Sequence, residues 1–180
     1  VALGALASGA KFMSAYPITP SSEIMEYMVK YAPAEGGVML QTEDEISACT
    51  MAIGAAYAGA RAFTATAGPG LSLMAEAIGL AEMTETPLVV IDTQRGGPST
   101  GLPTKHEQSD LMAAIYNTHG DTAKIVISPS SIEESFYDTF EAFNLAEEYQ
   151  CPVIVLSDLQ LSLGKQSVTS LDYGKLQVRR

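Results

Sequence analysis

Six short β-rich runs recur along the chain with helical patterns between them: KFMSAY (11–16), GVMLQ (37–41), RAFTATA (61–67), PLVVIDT (87–93), KIVIS (124–128) and PVIVLSD (152–158). Several are apolar on both parities, PLVVID and PVIVLS above all, which is the pattern of strands covered by helices on both faces. Alternation of such strands with helices implies an α/β fold: a doubly wound, mostly parallel six-stranded sheet with helices on both faces. The helices are expected over 20–31, 44–58, 71–83, 107–116 and 132–148. The second is rich in Ala and Gly, so its axis should pack close to the sheet.

A chain of 180 residues that is 47% hydrophobic buries one sizeable core. Residues 1–163 read as that domain, and 164–180, polar and aperiodic, as a linker or arm towards a following domain. The net charge of -11, from 21 acids against 10 bases, argues against nucleic acid as a partner. No apolar run reaches the roughly 18 residues of a membrane span. The small-residue opening Val1–Ala10 lacks the basic flank of a signal peptide, so a cytoplasmic chain is expected. That opening already reads as mid-helix and has no initiator Met, which suggests a fragment or a chain whose first residues are missing. Cys49 and Cys151 lie far apart among apolar or small residues, so neither a disulfide framework nor a cluster-binding motif is present. No metal-ligand spacing stands out.

In an open α/β sheet ligands sit beyond the carboxyl ends of the strands. After the first strand, YPITPSSE is stiffened by Pro17 and Pro20. Thr19 reads as a helix N-cap with Pro20 at the first helical position, and the exposed amides could also serve an anion. After the second, QTEDEISA puts Glu43, Asp44 and Glu45 at a helix start, where acids complement the helix dipole. Glu45 differs, because Ala48, Cys49 and Ala52 share its face at helical spacing, and a carboxylate on that inward face needs a partner. After the third, Gly68-Pro69-Gly70 opens a helix with no Cβ in the way of a close neighbour, but it lacks the spacing of a phosphate loop.

After the fourth strand, DTQRGGPSTGLPTKHEQSD is a long loop without helix or strand pattern. Arg95 at the strand end could offer a bidentate fork to a carboxylate, against the plainer reading of a surface arginine. His106, between Lys105 and Glu107, reads as a solvated histidine or a substrate contact, and His119 as part of a turn. After the fifth strand, SPSSIEE needs only helix capping to explain it.

Taken together and in this order, YPITPSSE, QTEDEISA, GARAFTATAGPGLSLMAEAIG and PLVVIDTQRGGPSTGLPT with KHEQSDL resemble the pyrimidine-binding domain of the alpha subunit of the 2-oxoacid:ferredoxin oxidoreductases, over residues 1–160. The resemblance implies the thiamine diphosphate pyrimidine-binding fold. It also implies oxidative decarboxylation of a 2-oxoacid to acyl-CoA and CO2 with reduction of ferredoxin. A beta-type partner would carry the diphosphate site, Mg²⁺ and an iron–sulfur cluster, so this chain would be inactive alone.

The resemblance also implies residue roles. Thiamine enzymes need a carboxyl on the pyrimidine N1′ to favour the tautomer that removes the thiazolium proton. Glu45 suits this better than Glu43, because it lies nine residues before Gly54 of the Gly54/Gly59 pair, as in the family pattern. Pro17, Ile18, Gly68 and Gly70 are the accompanying cofactor-side residues. Thr19 matches the threonine that meets the substrate carboxylate or carbonyl, and Arg95 the arginine that pairs with that carboxylate. Ser99, Thr100, Lys105 and His106 are candidates for a distal carboxylate. RGGPSTGLPT is most similar to the alpha subunits that use 2-oxoglutarate, against pyruvate or branched-chain substrates. Other thiamine-dependent decarboxylases and a non-catalytic α/β regulatory subunit are the alternatives.

Overall fold

A computed structural model describes residues 1–180, and in it all six β-rich runs become strands of one sheet. In chain order the elements are α1 (Ala2–Ala7), β1 (Phe12–Ala15), α2 (Ser22–Tyr31), β2 (Val38–Gln41), α3 (Glu45–Tyr57), β3 (Ala62–Thr66), α4 (Gly68–Leu73), α5 (Ala75–Met83), β4 (Leu88–Gln94), α6 (Leu111–Tyr116), β5 (Ile125–Ile127), α7 (Ile132–Tyr149), β6 (Pro152–Asp158) and α8 (Leu159–Leu163). The strand order is β2-β1-β3-β4-β6-β5, and every pairing is parallel. The expected doubly wound sheet is therefore present.

The double parity of the central strands has the predicted cause. Val89, Ile91, Val153, Val155 and Phe63 point into one core with α1, α2 and α7, where Phe63 meets Phe143 edge to face at 5.6 Å between ring centroids. Leu88, Val90, Ile154 and Leu156 point into a second core beneath α3, α4, α5 and α6. Two cores back to back leave no solvated face on β3, β4 or β6. In α3, Ala48, Cys49, Ala52 and Ala56 are buried, close enough for the Ser14 hydroxyl to donate to the Ala48 carbonyl at 2.7 Å. Burial pushes the Cys49 thiol up to about 12, so it acts as a small apolar residue.

Several boundaries differ from the expected ones. Thr19 is not the N-cap of α2 and Pro20 is not its first residue: the helix begins at Ser22 after Ser21, and Thr19-Pro20 is a cis peptide in the loop before it. The two prolines therefore lie in a loop and do not launch the helix. The helix expected over 71–83 is two helices that meet at Met74, and the first starts earlier, at Gly68. The helix expected from residue 107 begins only at Leu111, because residues 107–110 belong to the loop that returns to β4. At α7 the capping explanation holds: the Ser131 hydroxyl accepts from the Glu134 N–H at 3.1 Å, and Glu134 accepts from the Ser130 N–H.

Residues 164–180 carry little regular structure, but they lie along α7. The Asn144 amide donates to the Gln177 carbonyl at 3.0 Å and its oxygen accepts from the Arg179 N–H at 2.9 Å. The buried Arg61 guanidinium donates to the Ser8 carbonyl at 2.8 Å and to the Arg179 carbonyl, with Glu147 at 3.5 Å.

Candidate active site

The strand order reverses between β1 and β3, the point at which a doubly wound sheet binds ligands beyond its carboxyl ends. Three of the loops singled out above converge around it. Glu45 follows β2, yet it is the first residue of α3, which crosses over β1 to pack on β3. Its side chain is only 7% exposed and lies against the end of β3. A Cβ on Gly70 would fall 1.9 Å from Thr66 Oγ1, 2.6 Å from Glu45 Cγ and 3.0 Å from Glu45 Oε1. Gly70 thus makes room for the glutamate rather than for a ligand.

The cap of α3 leaves that carboxylate free. Asp44 is the N-cap and accepts from the Ser47 N–H at 2.7 Å, while the Thr42 hydroxyl donates to the Asp44 carbonyl; none of these bonds involves Glu45. Glu43, immediately before the cap, is exposed. A buried carboxyl without a local partner is a group prepared for a donor from elsewhere.

The second part of the site is built on Arg95, also 7% exposed. Its Nη1 donates to the Thr19 carbonyl at 2.5 Å and its Nη2 to the Thr100 carbonyl at 2.6 Å, while Nε has no partner. The guanidinium therefore clamps the loops after β1 and β4 together. Thr19 meets it through its backbone, and its side chain stays exposed. Arg95, Ser99 and Thr100 line one cleft of about 680 Å³ with Gly68, Glu107 and Asp110.

The other sequence candidates lie apart from this cleft. Pro17 lines a different hollow with Met25, Val29 and Met39, and Ile18 is half-buried behind Thr19, accepting from the Ser21 hydroxyl. Lys105 is exposed and tied by its backbone to Gly96. His106 turns to Asp158, with Nε2 3.3 Å from Oδ2, and Gln108 donates to the same oxygen at 2.6 Å. Burial alone would raise the Asp158 carboxyl; the Leu161 N–H, Gln108 and His106 outweigh it and hold the group below its ordinary value. His119 is exposed.

Sequence reasoning missed the acids beneath the cleft. Asp92 is fully buried on β4 and Asp110 closes the returning loop. An aspartate inside the apolar run PLVVID was the available signal. Gln94 was missed as well: it accepts from the Asp110 N–H at 2.9 Å and donates to the Ser157 carbonyl at 3.2 Å.

An all-parallel doubly wound sheet with a buried, unpartnered glutamate beside its switch point defines a cofactor-binding α/β domain. The particular family follows from comparison. The chain belongs to the thiamine diphosphate-binding domain family of pyruvate flavodoxin/ferredoxin oxidoreductase, whose model matches residues 3–179. It is 52% identical over 179 residues to 2-oxoglutarate synthase subunit KorA of Methanothermobacter marburgensis, covering 99% of this chain and 47% of that protein. It is 47% identical over 166 residues to 2-oxoglutarate oxidoreductase subunit KorA of Mycobacterium tuberculosis, covering 92% of this chain and 25% of that one. The chain spans about half the length or less of these curated relatives.

Among solved structures it superposes with a TM-score of 0.97 and 48% identity on 2-oxoglutarate:ferredoxin oxidoreductase from Magnetococcus marinus with 2-oxoglutarate, coenzyme A and succinyl-CoA bound, covering 99% of this chain and 31% of that one. Benzoylformate decarboxylase from Polynucleobacter necessarius shares the fold alone, with a TM-score of 0.71 at 17% identity over 94% of this chain and 30% of that one. No helix is long and apolar enough to cross a membrane.

Proposed function

We propose that this chain is the pyrimidine-binding part of the alpha-type subunit of a 2-oxoglutarate:ferredoxin oxidoreductase of the EC 1.2.7 type, acting in the cytoplasm. The reaction is oxidative decarboxylation of 2-oxoglutarate to succinyl-CoA and CO2, with the electrons passed to ferredoxin. When bound, thiamine diphosphate would supply a carbon nucleophile and an electron sink for the decarboxylation.

The observation that carries this reading is the buried Glu45 carboxyl, held against Gly70 and Thr66 with the helix cap made entirely by its neighbours. That group fits an aminopyrimidine: it would hold N1′ by a hydrogen bond in a site of low water content, and so bias the proton position on the ring. Pro17, Ile18 and Thr19 belong to the loop after β1, which Arg95 fixes through the Thr19 carbonyl, while its buried Nε keeps no partner. A positive guanidinium beside Ser99 and Thr100 suits the carboxylate of a 2-oxoacid. The choice of 2-oxoglutarate is supported by the identity with 2-oxoglutarate enzymes across nearly the whole chain.

In this reading diphosphate, Mg²⁺ and iron–sulfur clusters belong to a beta-type partner; within residues 1–180 no group of three or more metal-ligating side chains comes together. Exposed Ile46 and Leu73, next to Glu45 and just after the GPG turn, are suited to meet that partner. Residues 164–180, laid along α7, would lead towards a following domain.

The test is turnover by the co-expressed complex with coenzyme A and ferredoxin on 2-oxoglutarate, pyruvate and 2-oxoisovalerate. Reduction of ferredoxin with 2-oxoglutarate well above the other two is expected. Preference for either of the others overturns the substrate, and no turnover with any of them overturns the reaction.

A further inference from the structure

The apolar run of β4 breaks at Asp92, whose side chain points the same way as Leu88 and Val90, into the core beneath α3 to α6. Asp92 is 0% exposed, and neither carboxyl oxygen has a hydrogen-bond partner. The carboxyl beside it is that of Asp110, whose Oδ2 is equally buried and partnerless. Two carboxylates in contact, one of them sealed from water, do not readily both ionise; one proton between them turns repulsion into an O–H···O bond. Burial first, then the charge of Asp110, push Asp92 well above the ordinary carboxyl range. Burial also raises Asp110, the hydrogen bonds open to it from a protonated Asp92 and from Ser109 pull it back, and Glu107 pushes it up.

Asp110 is also a joint in the chain. Its N–H donates to Gln94 at the end of β4, and its carboxyl sits where a Cβ on Gly68 would come within 2.7 Å of Oδ2. Between Gln94 and Asp110 runs the loop that carries Arg95, Ser99 and Thr100 into the cleft. The loop braces itself, with Gly96 and Lys105 paired through their backbones and Glu107 accepting from the Gly97 N–H at 3.1 Å. Its far end is held to β4 through Asp110, and to the end of β6 through His106 and Gln108 on Asp158.

We propose that Asp92 and Asp110 share one proton and act as a positioning pair, which closes the 95–110 loop onto β4 beside the GPG turn and so sets Arg95 and the cleft wall for the carboxylate of the substrate. The substrate half of this inference rests on the 2-oxoacid reading above. The groups around the pair are Glu107 from the loop, Arg95 from the strand end, Asp158 with His106 from the β6 side, and Glu45 from α3 beyond Thr66. Arg95 directs its Nη groups to Thr19 and Thr100, and Asp110 is the one charge that acts on Asp92.

The experiment uses the full-length protein in complex with its partners. The infrared difference between wild type and Asp92→Asn should contain the carbonyl band of a protonated carboxylic acid at neutral pH. Amide exchange across residues 96–110 should quicken in Asp92→Ala and return to the wild-type rate in Asp92→Asn, which keeps a donor towards Asp110. In turnover, the wild-type KM for the oxoacid should rise about tenfold towards alkaline pH, the scale of one lost hydrogen bond to a charged group. Asp92→Asn should flatten that profile, with kcat and the KM for coenzyme A unmoved. Absence of the band overturns the shared proton. Equal exchange in all three proteins, or one KM profile for wild type and Asp92→Asn, overturns the positioning role. If band and exchange behave as expected but no 2-oxoacid is turned over, the pair stands and the substrate reading falls.

Discussion

Arg95 joins the loops after two strands that are not neighbours in the sheet: its Nη1 reaches the Thr19 carbonyl at 2.5 Å from a position 76 residues further along the chain. Its Nη2 holds Thr100 at 2.6 Å, so one planar fork ties the YPITP loop, the end of β4 and the glycine-rich loop into a single surface.

Replacing Arg95 should therefore loosen the site as well as remove its charge. Arg95→Ala is expected to lower stability by about 1–3 kcal/mol, because two part-buried carbonyls lose a charged donor. It should raise the KM for the oxoacid by about 10–100-fold in the complete complex, while the KM for coenzyme A stays put. Arg95→Lys keeps the charge but not the fork, and should recover only part of either effect. Equal rises in both KM values would mark a purely structural arginine.

Glu45→Gln keeps the volume of the side chain and the packing against Gly70. Assembly and melting temperature should stay near wild type, while exchange of the thiazolium proton on bound thiamine diphosphate slows by about 10²–10⁴-fold, the range of one positioned acid or base. The exchange is followed by proton NMR after a quench in heavy water. Undiminished exchange would remove Glu45 from the chemistry.

At Gly70 the argument is steric. A Cβ there would overlap Thr66 Oγ1 and press on Glu45 Cγ, both held by buried backbone. Gly70→Ala should cost about 1–3 kcal/mol by overpacking and displace the glutamate. Thermal melts and turnover should fall together, in contrast to Glu45→Gln. Normal activity in Gly70→Ala would show that the carboxyl position is not critical.

Stability should depend on pH from both sides. Asp92 has its carboxyl raised on folding, so the folded chain holds more protons than the unfolded one just above pH 3.8, the ordinary value; stability falls from there as pH climbs through the raised value. Asp158 is lowered, so its contribution is present above 3.8 and lost as pH drops through the lower value. Denaturant titrations at a series of pH values should show the alkaline fall flattened in Asp92→Asn and the acid fall flattened in Asp158→Asn. Identical profiles in all three proteins would refute both assignments.

The segment along α7 depends on a buried cation. Arg61 is 3% exposed and donates to backbone at both ends of the chain, at Ser8 and Arg179. Arg61→Met should remove the donor while filling the space. It should release residues 176–180, seen as faster amide exchange there, and it strands Glu147 without its buried partner at a cost of about 1–3 kcal/mol. Unchanged exchange in that segment would count against the anchor.

Much of this protein was settled by its one-dimensional pattern. Strands apolar on both parities can be satisfied only between two helical layers, so PLVVID and PVIVLS dictate a parallel, doubly covered sheet before any contact is known. The inward face of α3 was equally local, since Glu45, Ala48, Cys49 and Ala52 lie on one stripe by helical geometry alone. What the pattern could not contain was which distant groups meet. Thr19 read as a cap because Thr-Pro before a helical run is a cap locally, yet the grip of Arg95 on its carbonyl made it part of a loop and α2 starts only at Ser22. Asp92 drew no notice inside the apolar run PLVVID, and only the return of the 95–110 loop placed a second carboxyl against it. Periodicity follows from the bonds along the chain, whereas partnership across a fold follows from loop closure and burial, and those exist only once the chain is packed.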